Sequence, residues 1–179
     1  MDSVPRAMVA FRSFARAALA MTQSMSEVVI RHPRTDELES VREMIRIVAN
    51  ETFSDLFAPN PVPLKLEEDD WSLAWVAVHE AKIVGVLLTD ADLISDLWVV
   101  RENRRQGVGS KLLARGESEI FARGYAKCRL RVVKSNRVAV EFYLGQGWRV
   151  AREFRHEKCR HAMLELAKAN NSQLHSQLH

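Results

Sequence analysis

The chain has 179 residues, with 47% hydrophobic and 27% charged, which is one domain's worth of globular composition and excludes a disordered protein. No apolar run approaches the roughly 18 residues a membrane-spanning helix needs, and two cysteines, Cys128 and Cys159, provide neither a disulfide framework nor a four-cysteine zinc site. A formal charge of +3 and a pI near 9.1 are the only compositional hint of an anionic ligand.

That charge is concentrated at the start of the chain. Residues 1–24 contain Arg6, Arg12 and Arg16 against Asp2, so they hold two of the three surplus charges and leave one for everything after. Val4, Met8, Phe11, Phe14 and Ala18 share a helical face opposite Arg12 and Arg16. We expect residues 1–24 to be a loose extension, with Met21 or Met25 an alternative start. A helix packed on a partner is the next reading, and an organelle transit peptide the last. Reduced thiols and a cytoplasmic location are the default expectation.

From residue 25 the hydrophobic period changes repeatedly. Val28, Val29 and Ile30 predict a short strand closed by Pro33. Thr35 is expected to cap a helix whose first turn carries Asp36, Glu37 and Glu39, and whose buried stripe is Leu38, Val41, Ile45 and Val48. Residues 51–70 read as irregular, because Pro61 and Pro63 forbid a regular helix there, yet Phe53, Leu56 and Phe57 demand packing. Strands follow at 73–78, 83–88 and 94–100, with a turn over residues 79–82. A helix over 107–123 ends at Gly124, and Cys128, Leu130 and Val132 alternate with Arg129 and Arg131 as a strand. A helix over 136–144 and strands over 148–154 and 162–166 complete a single domain spanning 25–168. The last residues, 169–179, repeat a polar Ser-Gln-Leu-His unit and read as a tail; His175 and His179 in it make a poor metal site.

Two segments could carry chemistry. In the first, a strand ending at Val99 runs into a basic turn with Arg104, Arg105, Gln106, Gly107, Val108, Gly109 and Ser110, and that turn opens a helix. Unpaired first-turn amides, the helix dipole and two arginines favour a phosphate. Leu112 stands where a dinucleotide fingerprint needs its third glycine, and no Gly-Lys-Ser/Thr follows, so neither of those phosphate motifs applies. In the second segment, Asn136 caps a short helix that ends in Phe142 and Tyr143, followed by Gly145, Gly147 and Trp148.

Together these segments resemble the coenzyme-binding half of the GNAT superfamily of acetyl-CoA-dependent N-acetyltransferases. Arg104, Gly107 and Gly109 fit that family's Gln/Arg-x-x-Gly-x-Gly/Ala motif. Asn136, Ala139, Phe142, Tyr143, Gly147 and Trp148 fit its Asn-x-x-Ala-x-x-Phe-Tyr-x-x-x-Gly-Phe/Trp motif. The resemblance implies a single α/β domain with a mixed, mostly antiparallel sheet, helices on both faces and a splayed coenzyme cleft. It implies acetyl-CoA as co-substrate and no metal. Leu97, Trp98 and Val99 would offer backbone bonds to the pantetheine arm, and amides from Arg105 to Ser110 would hold the pyrophosphate. Asn136 would contact or order the pantetheine region, and Tyr143 would lie near the coenzyme sulfur.

Proton inventory frames the chemistry. An alkyl ammonium, with a pKa of about 10.4, must lose a proton, and a thiolate whose acid has a pKa near 8.5 must gain one. Tyr143 is the expected general acid, and the Val99 N–H is the natural donor to the developing oxyanion. Asp96 is a candidate base beside an ordinary strand role; His156, Glu157 and His161 are alternatives. Phe53 and Phe57 are expected to wall the acceptor pocket, and Trp98 to line it or pack on a helix. Acceptors could be a small amine, an antibiotic, or a peptide amine such as a protein N-terminus or lysine. A toxin acetylating charged tRNA, or a non-catalytic acyl-CoA-binding domain, remain as other readings. A body with so little net charge argues against nucleic acid, and nothing suggests a membrane partner. The oligomeric state, a homodimer included, is left open.

Overall fold

Successive side chains along a strand point alternately to opposite sides of the sheet, and this alternation sorts the core into two apolar layers. The computed structural model describes residues 27–58, 62–64, 66, 69–156 and 161–170. The N-terminal leader, Glu157, Cys159 and the tail histidines lie outside them. On β2 (Ala74–His79), Trp75 and Ala77 join one layer while Ala74 and Val76 join the other. On β3 (Lys82–Asp90), Leu87 belongs to the first layer, and Val86 and Leu88 to the second.

Seven strands form one sheet in the order β1-β2-β3-β4-β5-β7-β6, with β1 at Val29–Arg31, β4 at Leu93–Val99, β5 at Lys127–Val133, β6 at Arg149–Arg155 and β7 at Ala162–Ala169. Every neighbouring pair is antiparallel except β4 and β5. The β2–β3 turn is tight, because Glu80 and Ala81 both take positive φ, at 49° and 61°.

Helix α1 (Leu38–Phe57) covers one face of β3 and β4 with Val41, Met44, Ile45, Val48 and Ala49. Helix α2 (Val108–Ala122) lies on the other face. Its buried Val108, Leu112, Leu113 and Ile120 are each worth roughly 1.5–3 kcal/mol of burial. Gly116 permits close contact there, since a Cβ would lie 2.7 Å from Leu87 Cδ2. Helix α3 (Arg137–Gly145) packs on the same layer through Ala139, Val140, Phe142 and Tyr143. Helices on both faces of a mostly antiparallel sheet are the architecture expected from the sequence.

Two local expectations are corrected. Thr35 does not cap the first helix; a 3-10 turn over Thr35–Glu37 precedes it. The Glu37 carboxylate accepts from the Arg34 N–H at 2.8 Å and is gripped by the Arg31 guanidinium at 2.7 and 2.8 Å, so it organises this start instead. The segment after residue 50 is not irregular from its beginning, because α1 continues through Phe57. The first proline after residue 50 is Pro59, and the helix closes directly before it with the Ala58 N–H on the Ser54 carbonyl at 2.8 Å.

Candidate active site

The parallel pair β4–β5 is short. Only Leu93 with Arg129 and Ile94 with Leu130 stay in register, and beyond them the strands part. The resulting cleft of about 970 Å³ is lined by both strands, the turn before α2, α3 and the end of α1.

The β3–β4 ladder determines which backbone groups face that cleft. Gly85 is opposite Val99, yet the Val100 N–H bonds the Val84 carbonyl at 3.0 Å, so Gly85 and Val99 form a non-hydrogen-bonded pair. The same parity holds for Leu87 with Leu97. The main-chain groups of Leu97 and Val99 therefore point away from β3, toward the opening. Trp98 has the opposite parity. Its main chain is committed to β3, and its contribution to the cleft is its ring, edge-on to Phe53 at 6.0 Å.

The turn before α2 presents donors. Arg105 has φ +60° and Gly107 φ +81°, and Gly107 takes the N-cap position with no side-chain cap. The Lys111 N–H makes the first helical bond, to the Gly107 carbonyl at 3.0 Å, which leaves the amides of Val108, Gly109 and Ser110 without intrahelical partners. A Cβ on Gly107 would meet nothing within 4 Å, so its requirement is conformational rather than steric. Gly109 is less demanding, because a Cβ there would make ordinary contact with Phe142 at 3.5 Å. Arg104 lines the cleft as well, but its Nε donates to the Val99 carbonyl at 2.9 Å, bracing the turn against β4. Arg105, Gly107, Gly109 and Ser110 line the cleft. The Gln106 side chain instead bonds the Glu102 carbonyl at 2.8 Å, and the Val108 side chain is buried in the core.

Helix α3 supplies the opposite wall. The Asn136 Oδ1 accepts from the Ala139 N–H at 3.2 Å, so this side chain starts the helix at the cleft edge. Tyr143 lies between Phe142 and Trp148, with ring centroids 5.2 and 6.2 Å away. Trp148 is fixed by its Nε1–H bond to Glu117 at 2.8 Å, and the Lys168 ammonium holds the other oxygen of Glu117 at 2.7 Å. Burial, and secondarily the nearby Asp96 charge, push the Tyr143 phenol above its usual pKa, so it stays protonated. Burial also raises the Asp96 carboxyl, partly offset by hydrogen bonds from Trp98 Nε1 at 2.8 Å and from Ser95.

Of the expected acceptor residues, Phe53 lines the cleft and Phe57 does not; the Phe57 ring meets the His161 ring edge-on at 5.6 Å. His156 and His161 pair through their backbones and stand outside the lining. Glu51, Thr52, Ser95, Arg131 and Met163 line the cleft without having been singled out in the sequence. They carry no motif; only the continuation of α1 and the strand registers bring them there.

Residues 34–167 match the family model described as the acetyltransferase (GNAT) domain. The chain belongs to the GNAT acetyltransferase family. No curated protein sequence matches it. Among solved structures, the apo form of YjaB from Escherichia coli is similar at 25% identity and a TM-score of 0.65, covering 79% of this chain and 97% of that one. PaiA N-acetyltransferase from Thermoplasma acidophilum, solved with coenzyme A, shares the fold at 19% identity and a TM-score of 0.62, over 80% of this chain and 99% of its own. The ribosomal-protein-S18-alanine N-acetyltransferase from Escherichia coli does so at 18% and 0.57, over 80% and 94%. As a GNAT enzyme this chain is an acetyltransferase, and its cleft fits acetyl-CoA: free strand amides for an extended amide-bearing arm, then an uncapped helix N-terminus for phosphate. Among the described residues there is no cluster of metal-binding side chains and no helix long and apolar enough to cross a membrane.

Proposed function

We propose that this GNAT enzyme transfers an acetyl group from acetyl-CoA to a primary amine by direct attack. The observation that carries this reading is the position of the partly buried, neutral Tyr143 phenol among the residues lining the opening where Leu97 and Val99 expose their main chain. The coenzyme supplies the acetyl group as a thioester. Amides from Arg105 to Ser110 bind its pyrophosphate, and Leu97 and Val99 hold the pantetheine arm. Arg104 and Asn136 order the turn and the helix start beside it.

The amine forms the new C–N bond as the C–S bond breaks. The Val99 N–H receives the charge developing on the acetyl oxygen. Asp96 takes the proton released by the amine, directly or through water, and Tyr143 returns one to the departing thiolate. Tyr143 enters that role protonated, because burial keeps its proton on the phenol at neutral pH. Phe53 and the Trp98 ring wall the acceptor side. Peptide amines are the favoured acceptor class, as the similar fold named for ribosomal-protein-S18 alanine suggests. The test is thiol release from acetyl-CoA across small amines, N-terminal peptides, lysine peptides and charged tRNA. Release with at least one amine is expected; none with any of them would overturn the reaction.

A further inference from the structure

The sheet face beyond α1 carries an arrangement that acetyl-CoA binding does not use. Cys128, Leu130, Val132, Leu164 and Leu166 turn toward α2 and α3, so their strand neighbours turn the other way. The β5–β7–β6 register places these neighbours in three rows: Arg129 with Ala167 and Arg149, Arg131 with Glu165 and Arg152, and Val133 with Met163 and Phe154. Four arginines thus share a face with one carboxylate, Glu165, and with Asp92, which pairs with Arg129 at 2.6 Å. Glu165 is buried and serves as a peg: Arg152 reaches it at 3.1 Å and Arg131 at 3.4 Å. Both guanidiniums also flank the Phe154 ring, at 4.8 and 5.8 Å. Even so, the Arg131 and Arg152 side chains remain 49% and 54% exposed. A pegged but half-exposed guanidinium has donors left for a second carboxylate.

This face meets the cleft. Arg131, Val133 and Met163 line it, and Asp96 and Trp98 belong to the same side of β4 as the layer under α1. The phosphate-binding turn and Tyr143 belong to the opposite face, so an acceptor approaches from the arginine side. We propose that this face docks an acidic polypeptide acceptor, whose terminal residues lie on the Val133–Met163–Phe154 row while following Asp or Glu side chains meet Arg131, Arg149 and Arg152. The inference rests on the amine-acetylation reading above and names its substrate class. An extended peptide repeats every two residues at about 6.6 Å, the spacing that separates Arg129 from Arg131 along β5. Four arginines against two fixed carboxylates suit a few side-chain carboxylates. A phosphate backbone asks for a broader field, and residues 25–179 carry one net positive charge.

The test compares N-terminal peptides bearing Asp and Glu at positions two to five with the same peptides carrying Asn and Gln, by thiol release and by anisotropy of labelled peptide. We expect at least a tenfold higher kcat/KM and tighter binding for the acidic set, weakening with salt. Arg149→Glu, an exposed change beside Ala167, should cut that preference at least threefold with an unchanged melting temperature. Arg131→Gln should do the same if its melting confirms folding. Equal kcat/KM and equal binding for acidic and amide peptides would overturn the docking proposal. So would tighter binding of single-stranded RNA of matched charge. If no amine is acetylated, the reaction falls, and the anisotropy comparison alone decides the face.

Discussion

On the α2 and α3 side of the sheet, the groups offered to a ligand are mainly main-chain amides, aimed by strand parity, by one left-handed glycine and by an uncapped helix start. On the α1 side they are side chains: Asp96, Trp98, Phe53 and Arg131, drawn from three elements. Coenzyme is the same molecule in every acetyl transfer, so a backbone cradle can hold it. Acceptors differ, and only side chains can vary to match them. The two sides meet at Tyr143 and Asp96, where burial raises the cost of charge on both groups and the Asp96 charge adds to it at Tyr143.

The sharpest division of labour is tested at that meeting point. Tyr143→Phe removes the proposed proton donor and leaves the turn before α2 intact, so kcat should fall about 10²–10⁴-fold while acetyl-CoA affinity holds. Isothermal titration beside steady-state rates reads both, and undiminished turnover would remove Tyr143 from the reaction. Next comes the cradle itself. Gly107→Val places a β-branched residue at φ +81°, a strain of about 1–3 kcal/mol that the turn can relieve only by re-aiming its amides. Acetyl-CoA should bind roughly 10–100-fold more weakly, whereas Gly109→Ala, with only ordinary contact to Phe142, should bind nearly as wild type. Similar losses in both variants would mean that crowding, not backbone conformation, governs the cradle.

Asp96 tests the acceptor side with a pH profile. Its raised pKa means the carboxylate is lost at a higher pH than an ordinary aspartate, so the acid limb of kcat/KM should lie above about pH 3.9. Asp96→Asn should lower kcat/KM roughly tenfold and abolish that limb. An unchanged profile would assign the proton to water or to another group.

This asymmetry also explains what the sequence could reveal. Gly107 and Gly109 share one turn, and Asn136 and Tyr143 share one short helix with its cap, so each pair leaves a local motif in the sequence. The element order was legible for the same reason, since the hydrophobic period changes wherever the chain changes structure. Arg131, Met163 and Glu51 left no local mark; the β5–β7 register and the extra turns of α1 bring them to the cleft. Phe57 shows the converse error. It follows Phe53 on the same helix, but helical geometry turns it toward His161 instead of the cleft. Trp98 falls between the two: its ring lines the cleft, while its backbone parity is unreadable without the β3 pairing.

The smallest expected effect concerns how α1, the acceptor-side helix, is launched. Where α2 begins on a glycine conformation, α1 begins on a side-chain carboxylate: Glu37, held by Arg31 and by the Arg34 N–H. Those bonds lower the Glu37 pKa to about 2, against an ordinary 4.5. The sign follows from proton linkage. Between those values the unfolded chain binds a proton that the folded chain refuses, so stability rises with pH across this window. The contribution is fully present above about pH 4.5 and is lost as pH falls toward 2. Glu37→Gln should therefore melt below wild type at neutral pH, with the difference shrinking below pH 4.5 and gone near pH 2. A constant difference across that range would show that shape, not charge, is what Glu37 contributes. In that case both helices would owe their starts to backbone geometry, and the contrast between the two faces would be confined to the ligands they meet.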